Sequence, residues 1–449
     1  MFKRKAYQAL LDWRSVSRGS TAALLEGARR IGKSTVAEAF AQAEYDDYLL
    51  LDFSVEGEDV RRLFRDDIGD LDTFFRNLFL LKGRSLPKGK SVIIFDEVQL
   101  FPLARQSIKA LVKDGRFDYI ETGSLISIKR NTKDILIPSE EHRIKMYPMD
   151  FEEFLWAKGD TVTVPAIREA FEARRGLGDA VHRRIMGDFR SYMAVGGMPQ
   201  AVAAFVEGRS FEEIDFAKRT ILSLYEEDLH KYDEEGFNRV SAIFRSIPEQ
   251  LTHHNALFKF SAVEKELRFQ AIAPSIDFLG ESMMVNVCYD VTAPEVLLEL
   301  HADKASLKMY MGDTGLLVTQ ISRSSAVTDA ALYKALIFDK LGINQGMIME
   351  NMVAQMLAAS GNELYFHEFK YKPGDSKVEK GYEVDFLLVR GKRLCPVEVK
   401  SSSYRAHKSL DYFFEKYDVK SNERYVLYTK DLAREGNVVY LPLYMALCL

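Results

Sequence analysis

The sequence predicts an α/β protein of several domains, and three stretches carry that prediction. An apolar run, "AALL", leads into a glycine-rich turn and a helical pattern at "EGARRIGKSTVAEAF". A second apolar run, "SVIIFDEVQL", ends on two adjacent carboxylates, as a buried parallel strand does at its ligand-facing end. Near the C-terminus, "GYEVDFLLVRGKRLCPVEVKSSS" reads as two alternating strands joined by a tight turn.

Bulk properties narrow the class. With 449 residues the chain exceeds one ordinary core, so about two to four domains are expected. An apolar fraction of 47% is that of a globular protein, and a formal net charge of -5 excludes polyanion binding through overall charge. No secretory h-region opens the chain, and no run reaches the roughly 18 apolar residues of a membrane helix. Cys288, Cys395 and Cys448 are too scattered for a disulfide framework or a zinc site. A cytoplasmic protein without a membrane partner is the expectation.

The first stretch fits Gly-x-x-x-x-Gly-Lys-Ser at Gly27, Gly32, Lys33 and Ser34. Glycines let the backbone curl round phosphates and present its N–H groups, and the following helix points its positive end at the anion. Lys33 is expected to reach the β- and γ-phosphates of ATP, with Ser34 ligating Mg²⁺ and Thr35 beside it in the nucleotide site. Arg29 and Arg30 are read as phosphate contacts, subunit contacts or solvated charge, with Arg30 carried as the nucleotide-binding candidate.

At the end of the second strand, Asp96 is expected to hold Mg²⁺ and Glu97 to polarise the attacking water; a pair capping the next helix is the alternative. A third strand, "FDYIETGSLISI", ends in Thr122, Gly123 and Ser124. A hydroxyl there, assigned to Ser124, senses the γ-phosphate or simply belongs to a turn. Arg143, in "HRIKMYPMDFEEFL", is a candidate transition-state arginine acting in cis or in trans.

Taken in order, "GARRIGKST", "IIFDEVQ", "ETGS", "RIKMYPMDFEEFL", "YMAVGGMPQAV" and "KMYMGDTGLL" resemble a broad family of prokaryotic AAA-like P-loop ATPases. That family carries a winged-helix segment and a C-terminal domain of PD-(D/E)XK nuclease type. The resemblance implies ATP binding, hydrolysis and DNA-related work, and leaves a homo-oligomer open. The architecture it implies is a P-loop NTPase core over residues 1–160, a helical lid over 161–236, a winged-helix-like segment over 237–315 and a restriction-endonuclease-like α/β domain over 316–449.

In the middle, Gly196 and Gly197 are expected to stop one helix and Pro199 to start the next. The acidic "YEEDLHKYD" reads as a solvated helical face, and His253 and His254 as polar surface. Between Phe237 and Met311, seven Lys/Arg stand against nine Asp/Glu, which is no electrostatic footprint for DNA and suits a protein-contacting winged helix equally well.

For the C-terminal pair of strands, a two-residue loop at Gly391 and Lys392 sets Arg390 against Arg393 and Asp385 against Glu398. Like charges face to face are unfavourable unless a cation offsets them, and Mg²⁺ or Mn²⁺ between Asp385 and Glu398 would do so. Lys400, on the same face, suits stabilisation of a hydroxide or a phosphate. Asp385, Glu398 and Lys400 form the constellation of PD-(D/E)XK nucleases, in which Glu398 and Lys400 are catalytic. The resemblance adds Glu350 on the preceding helix as an outer metal ligand. Ser401 to Ser403 and Lys408 are further candidates for phosphate contact. From Ile321 to Leu449, eighteen Lys/Arg against sixteen Asp/Glu give no strong basic groove, so a docking module without cleavage stands as the alternative.

Overall fold

The computed structural model describes residues 1–123, 138–233, 239–252, 257–264, 268–324, 333–336, 345–374, 378–401, 405–417 and 423–449. Ser124, His253, His254, Ser402 and Ser403 lie outside the described residues. The chain divides into two compact units, one formed by Met1–Pro148 with Glu281–Met283, the other by Met149–Gly280 with Met284–Leu449.

The first unit is a five-stranded sheet of β1 (Ala22–Glu26), β2 (Asp47–Asp52), β3 (Ser91–Asp96), β4 (Asp118–Gly123) and β5 (Glu141–Lys145). Every neighbouring pair is parallel and the strand order is β2-β3-β4-β1-β5. β1 and β3 are buried along their whole length, which is why both read as unbroken apolar runs. One side of the sheet packs on a phenylalanine cluster. Phe64 is fully buried and its ring meets Phe53, Phe74, Phe95 and Phe101 with centroids 5.0–5.8 Å apart. Phe64→Ala is therefore expected to cost about 3–5 kcal/mol in a denaturant titration.

In the second unit, helix Asp179–Val195 stops at Gly196 and helix Pro199–Val206 starts on its proline, as the sequence predicts. Among the described residues the unit's sheet has eight strands: β6 (Val285–Val291), β7 (Ala302–Met311), β8 (Leu364–Tyr371), β9 (Lys380–Arg390), β10 (Arg393–Val399), β11 (Arg424–Tyr428), β12 (Ala433–Glu435) and β13 (Val438–Pro442). Their order is β12-β13-β11-β10-β9-β8-β6-β7. The sheet is mixed: β8-β9 and β9-β10 are antiparallel, while β10-β11 and β6-β8 are parallel.

The hairpin register is the one the loop length dictates. Arg390 faces Arg393 and Phe386 faces Val397, and just past that rung Asp385 Oδ2 accepts the Val399 N–H. β6 and β7 form the β-ribbon expected to follow the helices of this segment, and β6 also pairs along β8, so the ribbon extends the C-terminal sheet. An antiparallel ribbon with an unpaired edge buries its backbone groups by joining the neighbouring sheet, and no residue pattern local to 285–311 announces that partner.

Candidate functional site

In the first unit, β1 delivers the chain into the loop at Gly27. A Cβ on Gly27 would lie 2.2 Å from the Met146 carbonyl oxygen, and its φ of +157° adds to the exclusion of any side chain. Gly32, at φ +92°, turns the backbone into helix Lys33–Glu44. Lys33 is buried and folds over this loop, its Nζ donating to the carbonyls of Gly27 at 3.1 Å and Ala28 at 2.8 Å. Burial pulls its pKa down to about 8; Glu97 and Asp96 oppose that shift and Arg29 adds to it.

β3, two strands away, brings its carboxylates to the same loop. Ser34 Oγ donates to Asp96 Oδ1 at 2.7 Å, and the Thr122 hydroxyl at the end of β4 donates to the same oxygen. The Glu97 backbone N–H donates to Thr122 Oγ1 at 3.3 Å. Glu97 itself adopts φ +52°, a left-handed conformation unusual for a residue with a side chain, and its carboxylate accepts from the Gln99 amide. Thus Lys33, Ser34, Asp96, Glu97 and Thr122 converge on one place, from three strand ends.

Two adjacent oxygen donors, Ser34 Oγ and Asp96 Oδ1, fit the hard-cation preference of Mg²⁺. Thr35 and Arg30 are exposed at the loop, and Arg30 sits at φ +67°. Arg143 lies on edge strand β5 in register with Leu24, exposed, and its charge acts on Glu26. Thr122 and Gln99 are the partners that sequence reading undervalued. Thr122 stood in the trio considered at the end of β4, but only the strand register shows it facing Asp96.

A second buried group lies deeper in this unit. Arg105 forms a two-pronged pair with Glu141, both contacts 2.7 Å, beside the fully buried Glu121. Burial pushes the Glu121 carboxyl well above its ordinary range, and the neighbouring Glu141 charge adds to this against the opposing pull of Arg105.

The second unit holds an acidic cavity of about 720 Å³. Its walls include Glu350, Glu383, Asp385, Glu398, Lys400 and Glu368. Asp385 Oδ2 accepts the Val399 N–H at 2.7 Å, which fixes it to the opposite strand. Glu398 is buried and paired through Oε1 with Lys400 Nζ at 2.5 Å, while its Oε2 is buried without a hydrogen-bond partner. Burial raises Asp385 to about 7, with Glu350 and Glu398 adding to the shift and Lys308 opposing it. Glu383 rises to about 8, again chiefly through burial.

Glu350, on helix Gln345–Ala359, reaches this cavity but is engaged elsewhere. Its Oε1 accepts from the Tyr310 hydroxyl at 2.5 Å and from Lys308 Nζ at 3.3 Å. Among the described residues, no group of three or more His, Cys, Asp or Glu side chains is arranged to hold a metal ion. Glu350, Asp385 and Glu398 line the same cavity, with Glu350 Oε1 engaged by Tyr310 and Lys308. Glu383, which lines the pocket, was missed, as were Lys308 and Tyr310, which are buried and bind its lining carboxylates. Glu383 was findable, since strand alternation puts it on the same side as Asp385 two residues on.

Comparison with known proteins adds to this geometry. A family model described as an AAA domain matches residues 19–155. The first unit carries an ATPase-like P-loop domain. Two other models, each described as a domain of unknown function (DUF8612 and DUF4143), match residues 186–326 and 345–445. No curated protein matches the chain. Among solved structures, a Walker-type ATPase of Pyrococcus abyssi is 15% identical, covering 72% of this chain and 96% of its own, with a TM-score of 0.44. Cdc6p from Pyrobaculum aerophilum is 14% identical, covering 75% and 94%, with a TM-score of 0.23. No described helix is long and apolar enough to cross a membrane.

Proposed function

We propose that the chain is an ATP-hydrolysing P-loop ATPase whose nucleotide cycle governs a C-terminal unit of PD-(D/E)XK nuclease type. The observation that carries the first half is the convergence of Lys33, Ser34, Asp96, Glu97 and Thr122. Lys33 exchanges two backbone carbonyls for the β- and γ-phosphate oxygens. Ser34 and Asp96 hold Mg²⁺, which when bound neutralises phosphate charge. Glu97 orients the attacking water, and Thr122 fixes both Asp96 and the backbone of Glu97. Gly27, Gly32, Arg30, Thr35 and Ser124 complete the nucleotide contacts, and Arg143 supplies transition-state charge. Phosphate release from ATP tests this reading: Lys33→Ala and Glu97→Gln should each reduce turnover by roughly 10²–10³-fold. Unchanged turnover in both sinks it.

The second half rests on helix Gln345–Ala359 followed by β8, β9, β10, helix Lys408–Lys416 and β11, with Glu350, Asp385, Glu398 and Lys400 lining one cavity. Incubation with single-stranded, double-stranded and branched DNA and with RNA, in Mg²⁺ or Mn²⁺ with and without ATP, should give cleavage lost in Asp385→Ala and Glu398→Ala. A second reading is favoured by the engagement of Glu350 with Lys308 and Tyr310. In it the unit binds DNA or a protein without cutting, under control of the nucleotide state. Helices Arg239–Leu251 and Phe269–Glu281 with the β6–β7 ribbon support a winged-helix element, and its seven basic against nine acidic residues fit a protein contact. Nucleotide-dependent binding with no cleavage of any substrate would select this reading over the first.

A further inference from the structure

We propose that Lys308 is the resident cation of the acidic pocket, replacing a divalent ion on its Glu350–Glu383 side. This rests on the nuclease-type reading of the pocket, but it concerns cation occupancy and not cleavage. Lys308 lies on β7, and its Nζ is ion-paired with both Glu350, at 3.3 Å, and Glu383. The side chain is 1% exposed, with the Phe366 ring 5.0 Å from the ammonium. Buried this way, the ammonium reaches carboxylates and no ligand in the cavity. Lys400, 28% exposed beside Glu398, and the exposed Lys370 are the lysines that line the cavity itself.

The register explains why a cation is built in. Glu368 on β8 stands directly opposite Glu383 on β9, and Asp385 follows two residues later on the same strand. Opposed like charges weaken a strand pair unless something offsets them. Lys308 performs that task from β7, two strands from β8 and three from β9, in register with Cys288 of β6. Tyr310, two residues after Lys308, binds Glu350 from the same strand. One strand thus contributes both the charge and the hydrogen bond that hold the Glu350 carboxylate. A divalent ion entering the cavity would find the Asp385–Glu398 pair, while the other half is already neutralised.

The test uses the full chain, stripped with chelator and without nucleotide, and reads the thermal midpoint and free Mn²⁺ by electron paramagnetic resonance across a MnCl₂ titration. Lys308→Met should lower the midpoint, and added Mn²⁺ should restore it while the free Mn²⁺ signal falls below that of the wild-type chain. An equal Mn²⁺ response in the two proteins overturns the proposal, as does a variant as stable as wild type and indifferent to Mn²⁺. Should Lys308→Met fail to fold, Lys308→Met combined with Glu383→Gln removes the charge and one partner together. Recovery of folding supports the proposal, and continued failure overturns it. Loss of DNA cleavage in Asp385→Ala bears on the function of the unit and leaves this result unaffected.

Discussion

The two units each bury a lysine beside carboxylates, and they use it in opposite ways. Lys33 is held by two backbone carbonyls, and burial lowers its pKa to about 8. For Lys308, burial also acts downward, but Glu350, Glu383 and Asp385 outweigh it and hold the ammonium firmly protonated. The difference lies in what must be surrendered. Neutral carbonyls release a lysine to phosphate readily, because a charged acceptor forms the stronger hydrogen bond. A buried lysine balanced by two half-buried carboxylates is committed, since its departure leaves their charge unpaired where water reaches them poorly.

The comparison can be broken most forcefully at Lys308. Lys308→Met should cost about 3–5 kcal/mol, measured by denaturant unfolding of the full chain, because it removes a buried ammonium and leaves two half-buried carboxylates unpaired. A loss below about 1 kcal/mol would show that the pair carries little of the unit's stability. Next comes Lys33→Ala, which should leave the fold intact and reduce phosphate release by roughly 10²–10³-fold. Destabilisation by this change comparable to that of Lys308→Met would erase the distinction between an exchangeable lysine and a committed one.

Thr122→Val sharpens the first site. It removes the hydroxyl that joins Asp96 to the Glu97 backbone, a loss of about 1–1.5 kcal/mol, or roughly tenfold in turnover at saturating ATP. Wild-type turnover in this variant would assign the Asp96 position to Ser34 alone.

The smallest effect is expected at Glu121, where no lysine balances the group. Its raised pKa means the folded chain keeps a proton that the unfolded chain releases near neutrality. The stabilising contribution is therefore complete below the unfolded value and is lost as pH rises towards the folded one. Glu121→Gln, which keeps a neutral amide there, should gain thermal midpoint over wild type at pH 8 and converge with it towards pH 4. A gain that grows as pH falls would reverse the assignment.

Legibility in the sequence followed the range of the interactions. The phosphate-binding loop is local: Gly27 through Ser34 specify a turn and a helix start with no help from distant residues. The hairpin is equally local, because a two-residue loop fixes every rung from Arg390–Arg393 onwards. Helix punctuation at Gly196 and Pro199 was readable for the same reason. What escaped depends on strands meeting across long separations. Thr122 reaches Asp96 only because β4 inserts beside β3, and Lys308 reaches Glu383 across 75 residues. Alternation along β9 exposes the acidic side of that pocket, but nothing near residue 308 names the carboxylates it will meet.

The place of β7 at the edge of the eight-stranded sheet also bears on the order in which the molecule assembles. Chain synthesis delivers Lys308 before Glu350, Glu368, Glu383 and Asp385 exist. The early ribbon of β6 and β7 must therefore keep an ammonium in water until β8 and β9 arrive. Closing such distant pairings is slow, so neutralisation of the pocket belongs to the late stage of folding. A chain truncated before helix Gln345–Ala359 would leave β7 with an uncompensated charge, and that charge disfavours adhesion of the exposed edge to other chains.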